Sequence, residues 1–129
     1  MIRAHTDAVL ALVDAVPYVN VYDGQVPDSP SLPYVVIRTD SGRRERSALP
    51  ASSDRLTVRI WATSVGHTRA EAQMASERVT TALLDVRPTV ASRSCFPITS
   101  VNSQPARVDD VVQSLIYVLD EFELVSIPA

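Results

Sequence analysis

The sequence contains no lysine, because all 12 of its basic residues are arginine. Arginine cannot replace the ammonium group of a Walker A loop, a Schiff base or a Ser-Lys dyad, so these three kinds of enzyme site are excluded. Only three glycines are present, Gly24, Gly42 and Gly66. Their spacing permits neither a Gly-x-Gly-x-x-Gly dinucleotide loop nor a Gly-x-Ser-x-Gly nucleophile elbow.

Cysteine is equally scarce, since Cys95 is the single thiol. One cysteine cannot close an intramolecular disulfide, which predicts a reducing, intracellular compartment. The apolar stretch at residues 8–13 is six residues long and lies between two aspartates. That length is too short for a signal-peptide core or a membrane span, so we expect no membrane contact.

What is present suits one globular domain spanning residues 1–129. Apolar residues make up 46% of the chain and charged residues 21%, which is not the composition of a disordered protein. A chain of this length buries roughly two-thirds of its unfolded surface, so it needs neither a disulfide nor a structural metal. The formal net charge is −3.

The hydrophobic periodicity predicts two helices and five strands. Thr68-Arg69-Ala70-Glu71 matches the capping box that starts a helix. Near the end of the chain, helical spacing from Val108 to Phe122 competes with a strand pattern; we favour the strand, with a bend or bulge at Asp120-Glu121. The predicted order is a helix at 2–16, strands at 19–22, 34–40 and 54–63, a helix from Thr68 to before Pro88, and strands at 98–102 and 115–127.

These elements predict an α+β fold, with a mostly antiparallel or mixed sheet of about four to five strands and two helices packed on one face. The clearest strand, 54–63, alternates between two sets of side chains. One set is apolar and faces the helices: Leu56, Val58, Ile60 and Ala62. The other set faces away from them: Arg55, Thr57, Arg59 and Trp61.

The strand face turned away from the helices is a candidate protein interface. Besides Arg55, Arg59 and Trp61 it is expected to carry Tyr34, Val36 and Arg38. Aromatic, arginine and apolar side chains together are typical of interface cores. An ordinary half-exposed sheet with one surface tryptophan remains the alternative.

Residues 41–53 are predicted to form a long connection that carries the arginine run Arg43, Arg44 and Arg46. Guanidinium groups bind phosphate bidentately, so phosphate recognition is one interpretation. The negative net charge and an aromatic content of 5% disfavour a dedicated nucleic-acid-binding module. We therefore interpret the run as a protein contact.

No candidate catalytic or metal site emerges from the remaining residues. His5 and His67 are far in sequence from each other and from Cys95, so no zinc-ligand spacing can be drawn. Cys95 is interpreted as a packed side chain, although a spatial Cys-His pair stays open. The acidic groups Asp109-Asp110 and Asp120-Glu121-Glu123 are interpreted as solvated faces.

Five stretches then combine into a recognisable order. They are 19–24 before a proline-rich segment, 33–37, 55–64, a helix of the type found at 71–83, and a closing 117–125. This order resembles the tail terminator proteins of bacteriophages with long non-contractile tails, also described as minor tail or tail-completion proteins. The resemblance covers nearly the whole chain.

The resemblance implies a structural virion protein without enzymatic activity, cofactor or bound metal. Such a tail terminator forms a homo-oligomeric ring, a hexamer by expectation, on the end of the tail tube. It stops tube polymerisation and joins the tail to the head-side connector or stopper protein. DNA then passes through the lumen without specific binding. The implied location is the head-proximal end of the virion tail, after assembly in the host cytoplasm.

Three other interpretations stay open at this point. Within the same class, a neck or head-closure protein is the nearest alternative. An arginine-mediated nucleic-acid-binding protein and a small hydrolase that uses Cys95 or His67 belong to different classes. The resemblance carries over no individual residue, so the interface residues rest on surface chemistry alone.

Overall fold

The computed structural model describes residues 2–28, 30–45, 55–108 and 115–129, with only the backbone of Arg44 and Glu45. Helix α1 spans Ile2–Asp14 and helix α2 spans Arg69–Leu83. The predicted capping box starts α2, since the Thr68 hydroxyl accepts the Glu71 N–H at 3.1 Å. The Glu71 carboxylate accepts the N–H of His67, one residue before the cap.

The helices lie against one curled, mixed sheet. Its main strands follow the order β1, β2, β4, β8, β5, and all neighbouring strands are antiparallel except the parallel pair of β1 and β2. The strands are β1 (Asn20–Asp23), β2 (Tyr34–Thr39), β3 (Arg43–Glu45), β4 (Arg55–Gly66), β5 (Arg93–Cys95), β6 (Thr99–Ser103), β7 (Arg107–Val108) and β8 (Ile116–Pro128). The α+β class and both helix positions are confirmed.

Each of the two long central strands, β4 and β8, pairs along one edge with a series of shorter strands. Strand β3 continues β2 along β4, because β2 ends opposite Ile60 and β3 begins opposite Thr57. Strands β5, β6 and β7 succeed one another along the outer edge of β8. The sheet is therefore about five strands wide, although its outer strands are divided into shorter pieces.

The start of β3 corrects the prediction of a connection at 41–53. The Asp40 carboxylate accepts the N–H groups of Gly42 and Arg59 at 3.0 and 3.1 Å, which holds the turn against β4. Gly42 has a φ of 77°, and a Cβ there would lie 2.5 Å from Ile2 Cδ1. The chain therefore rejoins the sheet at residue 43, and the rest of the predicted connection, 46–53, lies outside the described residues.

One continuous core lies between the sheet and the helices. The alternation predicted for β4 is confirmed, with its apolar set buried against α1 and α2. Burying such side chains contributes roughly 1.5–3 kcal/mol each. The main contributors are Val9 and Val13 of α1, Val79 and Leu83 of α2, Val35 and Ile37 of β2, Leu56, Val58 and Ile60 of β4, and Phe122 and Leu124 of β8.

Strand β8 settles the ambiguity near the end of the chain. Residues 116–128 form one strand, so the helical alternative is wrong from Ile116 onward. The predicted bend or bulge at Asp120-Glu121 is also wrong, because β8 pairs with β4 in unbroken register from Ile116 to Ser126. The irregularity lies in the neighbouring β6, between Ser100 and Asn102.

Candidate interaction surface

The sheet face opposite the helices, called the open face here, carries the candidate interface. Side chains of adjacent strands meet there in register: Arg38 lies opposite Trp61, and Trp61 lies opposite Glu121. Arg59 lies opposite Glu123, and Arg43 lies opposite Thr57. The period of two residues along each strand therefore places Arg38, Arg43, Arg59 and Trp61 on one surface.

Arg59 forms ion pairs with two glutamates on this surface. One of its guanidinium nitrogens lies 3.3 Å from the Glu121 carboxylate, and the other lies 3.4 Å from that of Glu123. The three side chains are partly exposed, so each ion pair stabilises the monomer by less than about 1 kcal/mol. The sequence analysis interpreted both glutamates as part of a solvated acidic face and did not assign them to the interface. The alternation along β8 is the signal that could have identified them. It places Glu121 and Glu123 on one face of the sheet and the buried Phe122 on the other.

A small hollow lies beside these ion pairs. It has a volume of about 190 Å³ and is bordered by Asp40, Arg43, Arg59, Trp61 and Glu123. Trp61 is half-buried, so its ring offers apolar area at the rim of a charged depression. Interface centres commonly combine aromatic and arginine side chains in this way. We define the open-face patch as Arg38, Arg43, Arg59, Trp61, Glu121 and Glu123.

Tyr34 and Val36 lie on the open face but are largely buried within the monomer. Tyr34 is only 8% exposed, and its ring packs edge to face against Tyr22 at 5.6 Å between centroids. With Val36 and Val65 they form a second, small apolar cluster, to which Leu32 of the proline-rich segment contributes. The prediction that Tyr34 offers an exposed anchor is corrected, because the segment before β2 folds over it.

Three predicted interface residues remain to be described: Arg44, Arg46 and Arg55. Arg55 is exposed at the start of β4 and lies opposite Glu45 of β3. The backbone of Arg44 pairs with that of Leu56. Arg46 lies outside the described residues. Within the arginine run, Arg43 is the residue whose side chain is described, and it lies on the open face.

Among the groups considered for catalysis, Cys95 is a packed side chain. Cys95 is buried, and this burial raises the pKa of its thiol, which keeps it protonated and unreactive at neutral pH. His67 is exposed at the start of α2. Asp109 and Asp110 lie outside the described residues.

Two buried polar clusters were missed by the sequence analysis. The His5 Nε2 atom lies 2.7 Å from the Ser126 hydroxyl, which also accepts a hydrogen bond from Arg93 Nε at 2.8 Å. His5 and Ser126 are fully buried, so no substrate can reach them. They tie α1 to β8 across 121 residues of sequence.

Asp120 forms the second cluster. Its carboxylate is 3% exposed and accepts hydrogen bonds from Ser76 of α2 and Ser103 of β6, both at 2.5 Å. The expectation of a solvated acidic face at Asp120-Glu121-Glu123 is therefore wrong for Asp120. Buried carboxylates require such partners because their desolvation is costly.

The described ranges contain no set of three or more histidine, cysteine, aspartate or glutamate side chains placed to hold a metal ion. Over the same residues, no helix has the combination of length and apolar character needed to cross a membrane.

Comparison with known proteins places this geometry in context. The family model described as Tail completion protein gp17 matches residues 3–123. No curated protein sequence matches the chain. Among solved structures, a chain of the "Virion of native gene transfer agent (GTA) particle" is similar, with a TM-score of 0.62 and 13% identity over 92% of this chain and 84% of that chain. At that identity the likeness establishes the fold alone.

Proposed function

Because the chain belongs to the tail completion protein gp17 family, a family of structural proteins of the virion tail, we propose that it forms the ring that terminates the tail tube. In this proposal the ring stops tube polymerisation and joins the tail to the head-side connector. The observation that carries the proposal is the family match over residues 3–123. The open-face patch supplies a contact surface for the role.

The composition of the open-face patch supports contact with protein. Trp61 provides apolar area, and Arg38 and Arg43 provide guanidinium groups around it. Fixed charges of both signs favour one docking register over others and accelerate encounter with a complementary surface. We propose that this face, including Arg55 at its margin, contacts a neighbouring tail protein such as the tube protein.

The same charges disfavour nucleic acid as the ligand of this face. Arg59 is paired with Glu121 and Glu123, so its charge is compensated within the monomer. Phosphate binding requires uncompensated cations, since affinity grows with the number of phosphates neutralised. A chain with a net charge of −3 suits a lumen through which DNA moves without being held.

The proposal is tested first on the isolated chain. Size-exclusion chromatography with light scattering, followed by negative-stain imaging, should reveal rings of about six subunits or a concentration-dependent approach to them. A strict monomer at the highest concentrations would count against ring formation.

A second experiment separates a terminator from a neck or head-closure protein. Purified tube protein is polymerised with increasing amounts of this chain, and tube lengths are measured by electron microscopy. A terminator shortens the tubes and appears at one tube end, whereas a head-closure protein leaves their lengths unchanged. Filter binding to DNA at several salt concentrations tests the nucleic-acid alternative, which requires binding that falls steeply with salt.

A further inference from the structure

A second hollow lies on the open face, beside the open-face patch, and has a volume of about 260 Å³. Three buried side chains of β2 and β4 form its floor: Tyr34, Val36 and Val65. Its rim includes three side chains that are more exposed: Val26, Arg38 and Tyr117. We call these six residues the tyrosine hollow. Its base is apolar, and it has room for one apolar side chain of a partner.

Packing within the monomer fixes the shape of the tyrosine hollow. The Tyr34 ring lies edge to face against the Tyr22 ring, with 5.6 Å between their centroids. Leu32 and Tyr117 pack on the same cluster. The floor is therefore formed before any partner arrives, so a docked side chain would cost the hollow little conformational entropy.

Arg38 gives the rim of the hollow a positive charge. Its side chain is exposed, and it forms no ion pair within the described ranges. Two carboxylates share a neighbouring depression with it, but Asp23 pairs with Arg3 at 2.8 Å and Asp40 accepts two backbone N–H groups. Arg38 thus differs from Arg59, which is paired with two glutamates. An exposed guanidinium group can bind a carboxylate through two parallel hydrogen bonds.

We propose that the tyrosine hollow is a docking site for an acidic residue and an adjacent apolar residue of the tail tube protein. The apolar side chain enters the hollow, and the neighbouring carboxylate pairs with Arg38. This site deepens the proposed function and rests on it, because it adds a specific contact to the open face. An apolar anchor in a preformed pocket supplies affinity, and the charge pair at its rim fixes the docking register.

The same surface disfavours a nucleotide as the occupant. Tyr34 is only 8% exposed, which leaves little of its ring for a base to stack on. The ion-paired group of Arg59, Glu121 and Glu123 on this face combines one positive with two negative charges, so it repels a phosphate chain. A single carboxylate beside an apolar side chain avoids both difficulties.

Two substitutions disrupt this site. Arg38→Gln removes the charge but keeps a long polar side chain. Val26→Asp places a carboxylate at the rim, where it competes with the partner's carboxylate and makes the hollow polar. The matched controls are Arg87→Gln, at an exposed arginine after α2, and Val101→Asp, at an exposed valine of β6. Circular dichroism melting verifies that all four variants fold.

Co-sedimentation with tubes of the purified tube protein measures the effect. Arg38→Gln and Val26→Asp should each raise the dissociation constant by about tenfold, whereas the two controls should bind like the wild type. Wild-type binding that neither site variant weakens overturns the docking site and leaves the proposed function standing. A wild type that neither binds nor shortens the tubes removes both. Salt-dependent DNA binding that Arg38→Gln abolishes would assign the site to nucleic acid and also overturn it.

A double-mutant cycle then identifies the partner's carboxylate. Each aspartate or glutamate beside an apolar residue of the tube protein is replaced by its amide, and binding is measured with the wild type and with Arg38→Gln. One position should be coupled to Arg38 by about tenfold in dissociation constant. Equal effects in the two backgrounds at every position would exclude the carboxylate contact.

Discussion

The two faces of strand β4 differ although they share one backbone. Leu56, Val58 and Ile60 are buried beneath α1 and α2. The intervening Arg59 and Trp61 are half-buried on the open face, where they meet charged residues of β8. The helix-covered face is selected for apolar volume, whereas the open face is free to carry charge and an aromatic ring. The difference separates residues that fold the chain from residues available for contact.

The largest expected effect tests the helix-covered face. Phe122→Ala should lower the free energy of unfolding by about 3–5 kcal/mol, because it removes a fully buried ring and leaves a cavity between sheet and helices. Urea unfolding of the monomer at low protein concentration measures the change. Val125→Ala, three residues along β8 and half-buried on the open face, is the control and should cost less than about 1 kcal/mol. Equal losses of unfolding free energy for the two variants would contradict the conclusion that the helix-covered face contributes most of the stability.

Periodicity explains how much of this division the sequence predicts. In β4 the apolar and polar sets alternate over eight residues, and only one assignment of faces buries the apolar set. The capping residues Thr68 and Glu71 define the start of α2 for a similar reason, since their hydrogen bonds are local. Elements whose signal lies within a few neighbouring residues were therefore predicted well.

Features that depend on distant partners could not be predicted in this way. Strands β3, β5 and β7 are two or three residues long, too short to show a period. Asp120-Glu121 looks like a strand break until Ser76 and Ser103 are found beside Asp120. Tyr34 looks exposed until the segment containing Leu32 packs with it. In each case the decisive contact joins residues that the sequence does not associate.

Asp120 is an exception to the apolar character of the helix-covered face, because it is a carboxylate buried there. Asp120→Ala should destabilise the monomer by roughly 1–3 kcal/mol, because the Ser76 and Ser103 hydroxyls lose their buried acceptor. The triple variant Asp120→Ala, Ser76→Ala, Ser103→Ala should recover part of that loss. Thermal unfolding of the wild type and the two variants measures both effects. A single variant as stable as the wild type would show that the cluster contributes no stability.

Replacing Trp61 should lower the stability of the monomer slightly and weaken its binding to a partner protein strongly. Trp61→Ala should cost the monomer roughly 1–2 kcal/mol, well below Phe122→Ala, because only part of the ring is buried. Binding to the tube protein, measured by co-sedimentation, should weaken much more. Arg69→Ala, an exposed position at the start of α2, is the control and should change neither quantity. A stability loss as large as that of Phe122→Ala, with binding unchanged, would make Trp61 a core residue.

The smallest effect on the monomer concerns Arg59 and Glu121. A double-mutant cycle with Arg59→Gln and Glu121→Gln should give a coupling energy of about 0.2–1 kcal/mol in the monomer, because the pair is partly exposed. That coupling should fall as salt rises from 0.1 to 1 M, since the Debye length shortens from about 10 to 3 Å. When the open-face patch is covered by its partner, water leaves the pair and salt screens it less. The same cycle measured on binding affinity should therefore retain its coupling at high salt, and a coupling that disappears equally in both measurements would place the pair outside the contact.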